Sequence, residues 1–501
     1  MGQIRTGLTN PASHGTTRLH DLGLNAVRQA STITLKGTIQ GTESMAVNTI
    51  DGLMSSLTFS KTVPALGFLN KSKNPQRGFE PFRTPTGTEI AFFRHQDLPP
   101  DLATLVKDSW SHGIGLVVFR NPKLTAWGMV FLHSLAKINS PEGQVLKASG
   151  GTMIYPSTVS IKKALSNVVT KGVSMTWKWL VVAMLYELAG FHGVTFPSGS
   201  KGVLIHGNEQ DSAFETYGDV LNFIGCHETG RDEGFAEDKI SVLGRFAPKY
   251  VVGGDFVQGG FDPVPWTKAG VFKSIRTFFD IRGGSLPILV HGAGNIGGLL
   301  VPEFIQHSLP ICGVVDNRTG PLQMARDNGY RGPLFLVSSG SPDGALPANC
   351  TVVPDLAEAM RIVNEGGSPY LLSPNASPGL IGCKEAESAL ESRLVSASAG
   401  AANDPFFLSQ VLELALCAGG IFTFPHFGIN ACGAAAVASG KANANEEGMK
   451  KVVMAQGVMA QRYWDWFQQG RVPVEALLEE VQEIWRRRVM EEGSGVGGIA
   501  I

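Results

Sequence analysis

Two lysines, one carboxylate and several glycines mark where this chain could do chemistry. Lys178 closes the run Ser174-Met175-Thr176-Trp177-Lys178, and Lys201 closes Phe196-Pro197-Ser198-Gly199-Ser200-Lys201. Asp255 stands among glycines in Val252-Gly253-Gly254-Asp255-Phe256-Val257, and the pair Gly150-Gly151 follows Ala148-Ser149. An exposed lysine pairs with a substrate carboxylate. A lysine desolvated beside a second cation has its pKa drawn toward neutrality and can shuttle a proton. A carboxylate opposite them holds a substrate amine, and paired glycines let main-chain groups approach a small molecule. Each residue alone has a plainer reading. Lys178 reads as a snorkelling lysine, Lys201 as a solvated turn residue and Asp255 as an Asx turn. Asn403 and Asn430 read as capping residues.

A second cluster carries nucleotide chemistry. Ile288-Leu289-Val290-His291 is an apolar strand that runs into Gly292-Ala293-Gly294-Asn295-Ile296-Gly297, and a helix-like stretch follows. Gly292 permits the tight turn, Gly294 lets the backbone approach a pyrophosphate, and Gly297 lets helix and strand pack closely. The free N–H groups of the helix N-terminus then face the phosphates. About twenty residues on, the apolar run from Ile311 ends in Asp316, where a carboxylate would accept both ribose hydroxyls and repel a 2′-phosphate. This favours NAD. Asn317 and Arg318 follow, and an arginine there tolerates NADP, which leaves the second cofactor open.

These residues need a scaffold. Residues 115–119 and 202–205 read as buried strands, 161–169 and 177–189 as two helices, and 264–279 as a long helix leading into the nucleotide-binding half. Apolar runs at 334–337, 370–372 and 394–397 follow at the spacing of a doubly wound α/β sheet. Residues 445–490 read as helical, with Tyr463, Trp464, Trp466 and Phe467 as core or interface aromatics. The tail from Gly493 reads as frayed. Residues 1–85, rich in Ser, Thr and Gly, read as an extension with one helical stretch at 19–30.

Composition narrows the classes. A chain of 501 residues is expected to form two or three domains. The formal net charge of −1 gives no reason to expect a nucleic acid or other polyanion as partner. The six cysteines form no C-x-x-C pair and no metal spacing, which reads as reduced thiols in an intracellular, cytoplasmic protein. No uninterrupted apolar run reaches the roughly 18 residues of a membrane span, and no signal-peptide core opens the chain. No membrane partner is expected.

Taken in order, the motifs resemble the glutamate/leucine/phenylalanine/valine dehydrogenase superfamily, closest to its leucine/phenylalanine branch. Gly150-Gly151 and then Met175-Thr176-Trp177-Lys178 resemble the family's glycine pair and M-T-x-K lysine. Ser198-Gly199-Ser200-Lys201 resembles its G-G-G-K, and Gly254-Asp255-Phe256-Val257 its acidic turn. Pro263 to Val271 resembles the P-x-x-T-A-x-G-V helix, with Thr267 in the threonine place. Gly292 to Gly297 matches G-x-G-N-x-G, Ala399 to Asn403 resembles a G-S-A-N loop, and Ile429 to Gly433 an I-N-A-G-G helix start. The resemblance covers roughly residues 110 to 470.

The resemblance implies a substrate-binding and oligomerisation domain over 86–275 and a Rossmann-type dinucleotide-binding domain over 276–440. A helical segment, 441–501, would return to the first domain. It implies reversible, NAD-linked oxidative deamination of an L-amino acid in a homo-oligomer, a dimer or larger. Lys178 would bind the α-carboxylate with help from the backbone at Gly151, Lys201 would transfer protons, and Asp255 would hold the amino group. Thr267 and Asn403 would place the nicotinamide, and Asn430 would touch cofactor or carboxylate. The departures are the longer gaps from Lys178 to Lys201 and on to Asp255, and the reduction of the triple glycine to one. Ser149 stands where glutamate-specific members carry a lysine, and Ala434 where branched-chain members carry valine, so a bulky or aromatic side chain is expected. The alternative reading is an NAD(P)H-dependent imine reductase or another biosynthetic redox enzyme on the same fold.

Overall fold

The computed structural model describes residues 82–492, apart from 94, 96–97, 108–112, 122, 124–125, 134–147, 195–197, 207–209, 231, 233–234, 236, 253–259, 339–341, 377–380 and 401–409. The expected helix over 19–30 and the tail from Gly493 lie outside the described residues, as do Asp255 and Asn403.

The first half of the described chain builds a mixed sheet. Its strands are β1 (Phe82–Arg83), β2 (Glu89–Phe93), β3 (Gly113–Asn121), β4 (Ala126–His133), β5 (Ala148–Pro156), β6 (Ser198–His206) and β7 (His227–Gly230). They lie in the order β1-β2-β3-β4-β6-β5-β7. The strands from β1 to β6 pair antiparallel, whereas β5 runs parallel to both β6 and β7. Helix α1 (Pro100–Val106) and the long α2 (Ile161–Leu188) cover one face, and α3 (Gln210–Ile224) with α4 (Glu237–Phe246) the other. Strand alternation sorts the side chains of β6. Val203 and Ile205 point into the core beneath α1 and α2, and Leu204 into the core beneath α3 and α4. Lys201 therefore shares the α2 face with Val203.

The two helices expected over 161–169 and 177–189 are one. Ser160 caps α2 by accepting the Lys163 N–H at 3.2 Å, and the helix runs 28 residues to Leu188. Its glycine, Gly172, does not break it. A Cβ there would stand 2.6 Å from the Phe131 ring, so the glycine permits close packing of helix on sheet. By length and composition α2 is apolar enough to cross a membrane, yet most of that stretch is buried within the protein. A helix apolar on all sides belongs in a core or a bilayer, and here sheet and helices surround it.

The second half is a parallel sheet. Its strands are β8 (Ile288–His291), β9 (Ile311–Asp316), β10 (Leu334–Val337), β11 (Cys350–Val353), β12 (Tyr370–Pro374), β13 (Val395–Ser398) and β14 (Phe422–Thr423). Their order is β11-β10-β9-β8-β12-β13-β14, and every pairing is parallel. The order reverses at β8, which places the crevice for a ligand beyond the C-terminal ends of β8, β9 and β12. Helices α6 (Gly297–Gln306), α7 (Thr319–Asp327), α8 (Leu356–Asn364), α9 (Cys383–Ser392) and α10 (Gln410–Ala418) alternate with these strands. This is the α/β, Rossmann-type architecture expected from the strand spacing.

Helix α5 (Pro263–Arg282) joins the halves. Asp262 caps it, Pro263 opens it, and Gly283 ends it in a left-handed turn at φ 79°. Helices α11 (His426–Ile429), α12 (Ala431–Ala438), α13 (Glu446–Gln468) and α14 (Pro473–Glu492) follow the second sheet. They return to the first half as expected. The Tyr186 hydroxyl, near the end of α2, donates to the Ala435 carbonyl at 2.7 Å, and one apolar core unites α2, α5, α12, α13 and β8. Tyr463, Trp464, Trp466 and Phe467 pack in that core, with Trp464 edge-on to Phe278 and Phe422.

Candidate active site

Helix α2 crosses β6 in close contact. The Gly199 amide donates to Thr176 Oγ1 at 3.0 Å, and Thr176 Oγ1 also meets His133 Nδ1 at 2.7 Å. A Cβ on Gly172 would lie 3.6 Å from the Lys201 Cβ. Residues 171, 175 and 178 recur at helical spacing along one stripe of α2. Met175 in that stripe lies over Gly150, within 3.5 Å of where a Cβ would be, and Trp179 Nε1 beside it donates to the Ser149 carbonyl at 2.9 Å. Lys178 and Lys201 are both buried. The structure therefore brings the glycine pair of β5, Lys201 of β6 and the stripe bearing Lys178 into one neighbourhood.

Gly150 serves the sheet as well as the site. It pairs with Thr229 on β7, and a Cβ would strike the Ser200 carbonyl at 1.8 Å. Gly151 pairs with Gly230 one step further along.

Among the described residues the carboxylate that meets Lys201 is Asp232, which is not one of the residues singled out in the sequence. Its side chain is 3% exposed, and it forms an ion pair with Lys201 Nζ while Lys171 Nζ stands 3.9 Å from its other oxygen. Lys171, also passed over, is a second buried cation on the α2 stripe. The signal was present. Asp232-Glu233-Gly234 carries an acid and a glycine at D-x-G spacing just after β7, whereas Asp255-Phe256-Val257 lacks that glycine.

A buried polar chain supports Lys201 from the opposite face of the sheet. Ser200 Oγ meets His227 Nδ1 at 2.7 Å, and Tyr217 OH meets His227 Nε2 at 3.2 Å. Thr152 Oγ1 joins the Tyr217 and Thr229 hydroxyls at 2.7 and 2.5 Å. Burial, aided by the charge of Lys201, holds the His227 pKa down at about 3, so the ring stays neutral and works as one donor and one acceptor.

The nucleotide turn has the shape its glycines require. Gly292 sits at φ 88°. A Cβ on Gly297 would stand 1.8 Å from the Gly292 carbonyl, whereas one on Gly294 would meet only Arg318 Nη2, at 3.8 Å. The turn is thus closed at Gly297 and open at Gly294, a cradle that fits the pyrophosphate of a dinucleotide. Asn295 is exposed on the turn. Asp316 is buried. Its Oδ2 accepts the Ala293 amide at 2.8 Å and its Oδ1 the Arg318 amide at 3.0 Å.

A third cluster lies where α5 meets α12. Thr267 Oγ1 donates to the Pro263 carbonyl at 2.8 Å, and a Cβ on Gly433 would collide with it at 2.0 Å. Asn430 is buried at the start of α12. Of the small residues that follow, Ala435 and Ala436 are fully buried and Ala434 is half-buried. Among the described residues no group of His, Cys, Asp and Glu is arranged to hold a metal ion.

No family model and no curated protein sequence matches this chain. Solved structures do resemble it. The L-tryptophan dehydrogenase of Nostoc punctiforme is similar at 19% identity and a TM-score of 0.49, over 76% of this chain and 97% of that one. The glutamate dehydrogenase of Plasmodium falciparum is similar at 14% identity and a TM-score of 0.49, over 78% of this chain and 86% of the other. A further glutamate dehydrogenase is similar at 12% identity and a TM-score of 0.48, over 75% and 83% of the two chains.

Proposed function

We propose that this protein is a nicotinamide-nucleotide-dependent amino acid dehydrogenase, acting reversibly on a hydrophobic or aromatic L-amino acid. The observation that carries this reading is the buried ion pair of Lys201 with Asp232 beside Gly150, Gly151 and Lys178, in a chain that also folds a glycine cradle for a dinucleotide. An acid–base pair withdrawn from water suits proton transfer at a carbon bearing an amine.

Gly292, Gly294, Asn295 and Gly297 would hold the dinucleotide, with Thr267 and Asn430 on the side of its nicotinamide, and when bound it would supply hydride acceptance. Lys178 binds and orients the substrate α-carboxylate. Asp232 takes the amino group, a role the sequence reading gave to Asp255. The substrate ammonium first gives up its proton to solvent, and loss of hydride from Cα would then turn the neutral amine into an iminium. Lys201, after releasing its own proton to solvent, takes a proton from the water that adds to the iminium and returns it to the nitrogen, so that the carbinolamine collapses to the 2-oxo acid as ammonia leaves. In balance, the amino acid, the oxidised dinucleotide and water give the 2-oxo acid, ammonium, the reduced dinucleotide and one proton. Ser149 itself offers no charge to a second substrate carboxylate. The half-buried Ala434 leaves room for a large side chain. The protein works in the cytoplasm as a homo-oligomer.

The test is absorbance at the reduced-nicotinamide band. The purified protein is given a panel of L-amino acids with each oxidised dinucleotide at alkaline pH, and the matching 2-oxo acids with ammonium and reduced dinucleotide in reverse. Turnover of an apolar or aromatic member is expected. Silence in both directions while the reduced dinucleotide still binds would overturn the deamination reading.

A further inference from the structure

We propose that Arg318 selects the 2′-phosphorylated dinucleotide, so that this protein prefers NADP(H) over NAD(H). The inference rests on the nucleotide-binding reading of the Gly292–Gly297 turn and deepens it. Asp316 is the residue that would accept the ribose hydroxyls of NAD. Here that carboxylate is turned inward. One oxygen accepts the Ala293 amide of the turn and the other the Arg318 amide, and the residue is 4% exposed. It works as a brace between the end of β9 and the turn, with little surface left for a ribose.

The surface left by that brace belongs to Arg318. Its side chain is 62% exposed, with Nε 3.8 Å from Asp316 Oδ1 below it. Its Nη2 reaches to 3.8 Å from the Cβ position at Gly294, the open glycine of the cradle. A guanidinium between the end of β9 and the pyrophosphate cradle lies where a ribose 2′-phosphate would come, and it meets phosphate with two parallel N–H donors. Two neighbours have carboxylates. Asp316 is buried beneath the guanidinium. Asp343 accepts the Thr319 amide at 2.9 Å, and this bond, more than the nearby Arg318 charge, holds its carboxyl below the usual range. Asp316 accepts the Arg318 amide, while the guanidinium itself stands 3.8 Å from that carboxylate and faces solvent. Asn317, exposed beside it, adds a polar group suited to the same phosphate.

The experiment is a binding titration of the full chain, read by the fluorescence of NADPH and NADH and by calorimetry with 2′,5′-ADP and 5′-AMP. Neither readout needs an amino acid substrate. The wild type is expected to bind NADPH and 2′,5′-ADP about tenfold or more tightly than NADH and 5′-AMP, as a charge-assisted bidentate contact allows. Arg318→Ala should bring the two reduced dinucleotides to similar affinity by weakening NADPH alone. Arg318→Lys should keep part of the preference. NADH binding at least as tightly as NADPH, or a preference unmoved in Arg318→Ala, would overturn the proposal and leave nucleotide binding standing. Failure to bind either dinucleotide would overturn both.

Discussion

Gly199 and Thr176 are joined so closely that no side chain fits at Gly199 without moving the helix off the sheet. The Gly199 amide donates to Thr176 Oγ1, and a Cβ on Gly199 would fall 2.3 Å from the Thr176 nitrogen and 2.6 Å from the Gly172 carbonyl. Both collisions are with backbone, which cannot swing aside. Gly199→Ala is therefore expected to cost roughly 1–3 kcal/mol, the range of an overpacked core, measured by urea denaturation. Because Lys201 lies two residues on, the same variant should lose activity beyond its loss of folded protein. An alanine variant as stable and active as the parent would contradict this packing.

The ion pair of Lys201 and Asp232 supports a division of labour that mutation can separate. Lys201→Ala and Asp232→Asn should each lower kcat by about a hundred- to ten-thousandfold, the usual worth of a positioned acid or base. Both should leave reduced-dinucleotide binding unchanged, since they lie on the first sheet and the cradle on the second. Asp255→Asn is the control, expected to keep most of the activity. The opposite ranking of the two aspartates would return the amine-binding role to Asp255.

Gly297→Ala tests the cradle itself. The added methyl would stand 1.8 Å from the Gly292 carbonyl, so helix α6 must retreat from the turn that holds the phosphates. Fluorescence titration should show binding of both reduced dinucleotides weakened by an order of magnitude or more. Gly294→Ala, with open space around it, should fold normally and fail only where the pyrophosphate needs that space.

Acid should destabilise this protein before its carboxylates titrate. Burial holds His227 at about 3 and His291 at about 4, against about 6.5 for the free side chain. Below pH 6.5 the unfolded chain takes up protons at both sites while the folded chain does not, so stability falls as pH drops from 6.5 toward those folded values. Above 6.5 both states are neutral there and the two histidines contribute no slope. Denaturant midpoints between pH 7 and pH 4 should show this decline, and His227→Asn should flatten part of it. A midpoint constant across that range would remove the buried-histidine account.

The nucleotide half was legible in the sequence because its signals are local. An apolar strand, three spaced glycines and an acid fall within one βαβ unit, and the structure sets Gly292 and Gly297 where that pattern requires. The substrate half was harder, because its site is assembled by strand register. The order β4-β6-β5-β7 brings β7, and Asp232 just beyond it, to Lys201, and neither residue's spacing reveals that meeting. Lys171 was hidden for a different reason. Helical spacing from Lys178 reaches it, but Lys171 falls in the gap between the two helices expected over 161–169 and 177–189. Asp316 was read correctly as the acid at the end of β9. Its engagement with two backbone amides depends on how the turn folds over it, which no local pattern carries.

Helix α2 also sets an order in time. Its first half is covered by the sheet built from neighbouring residues, but Tyr186 near its end rests on Ala435 and Met449, which are 249 and 263 residues later. At about 5–20 residues per second, a ribosome needs roughly 10–50 s to reach them. Throughout that interval the apolar end of α2 lacks its native cover. Nascent chains stopped before residue 435 should therefore be captured by chaperones, and those extended past α13 should be released.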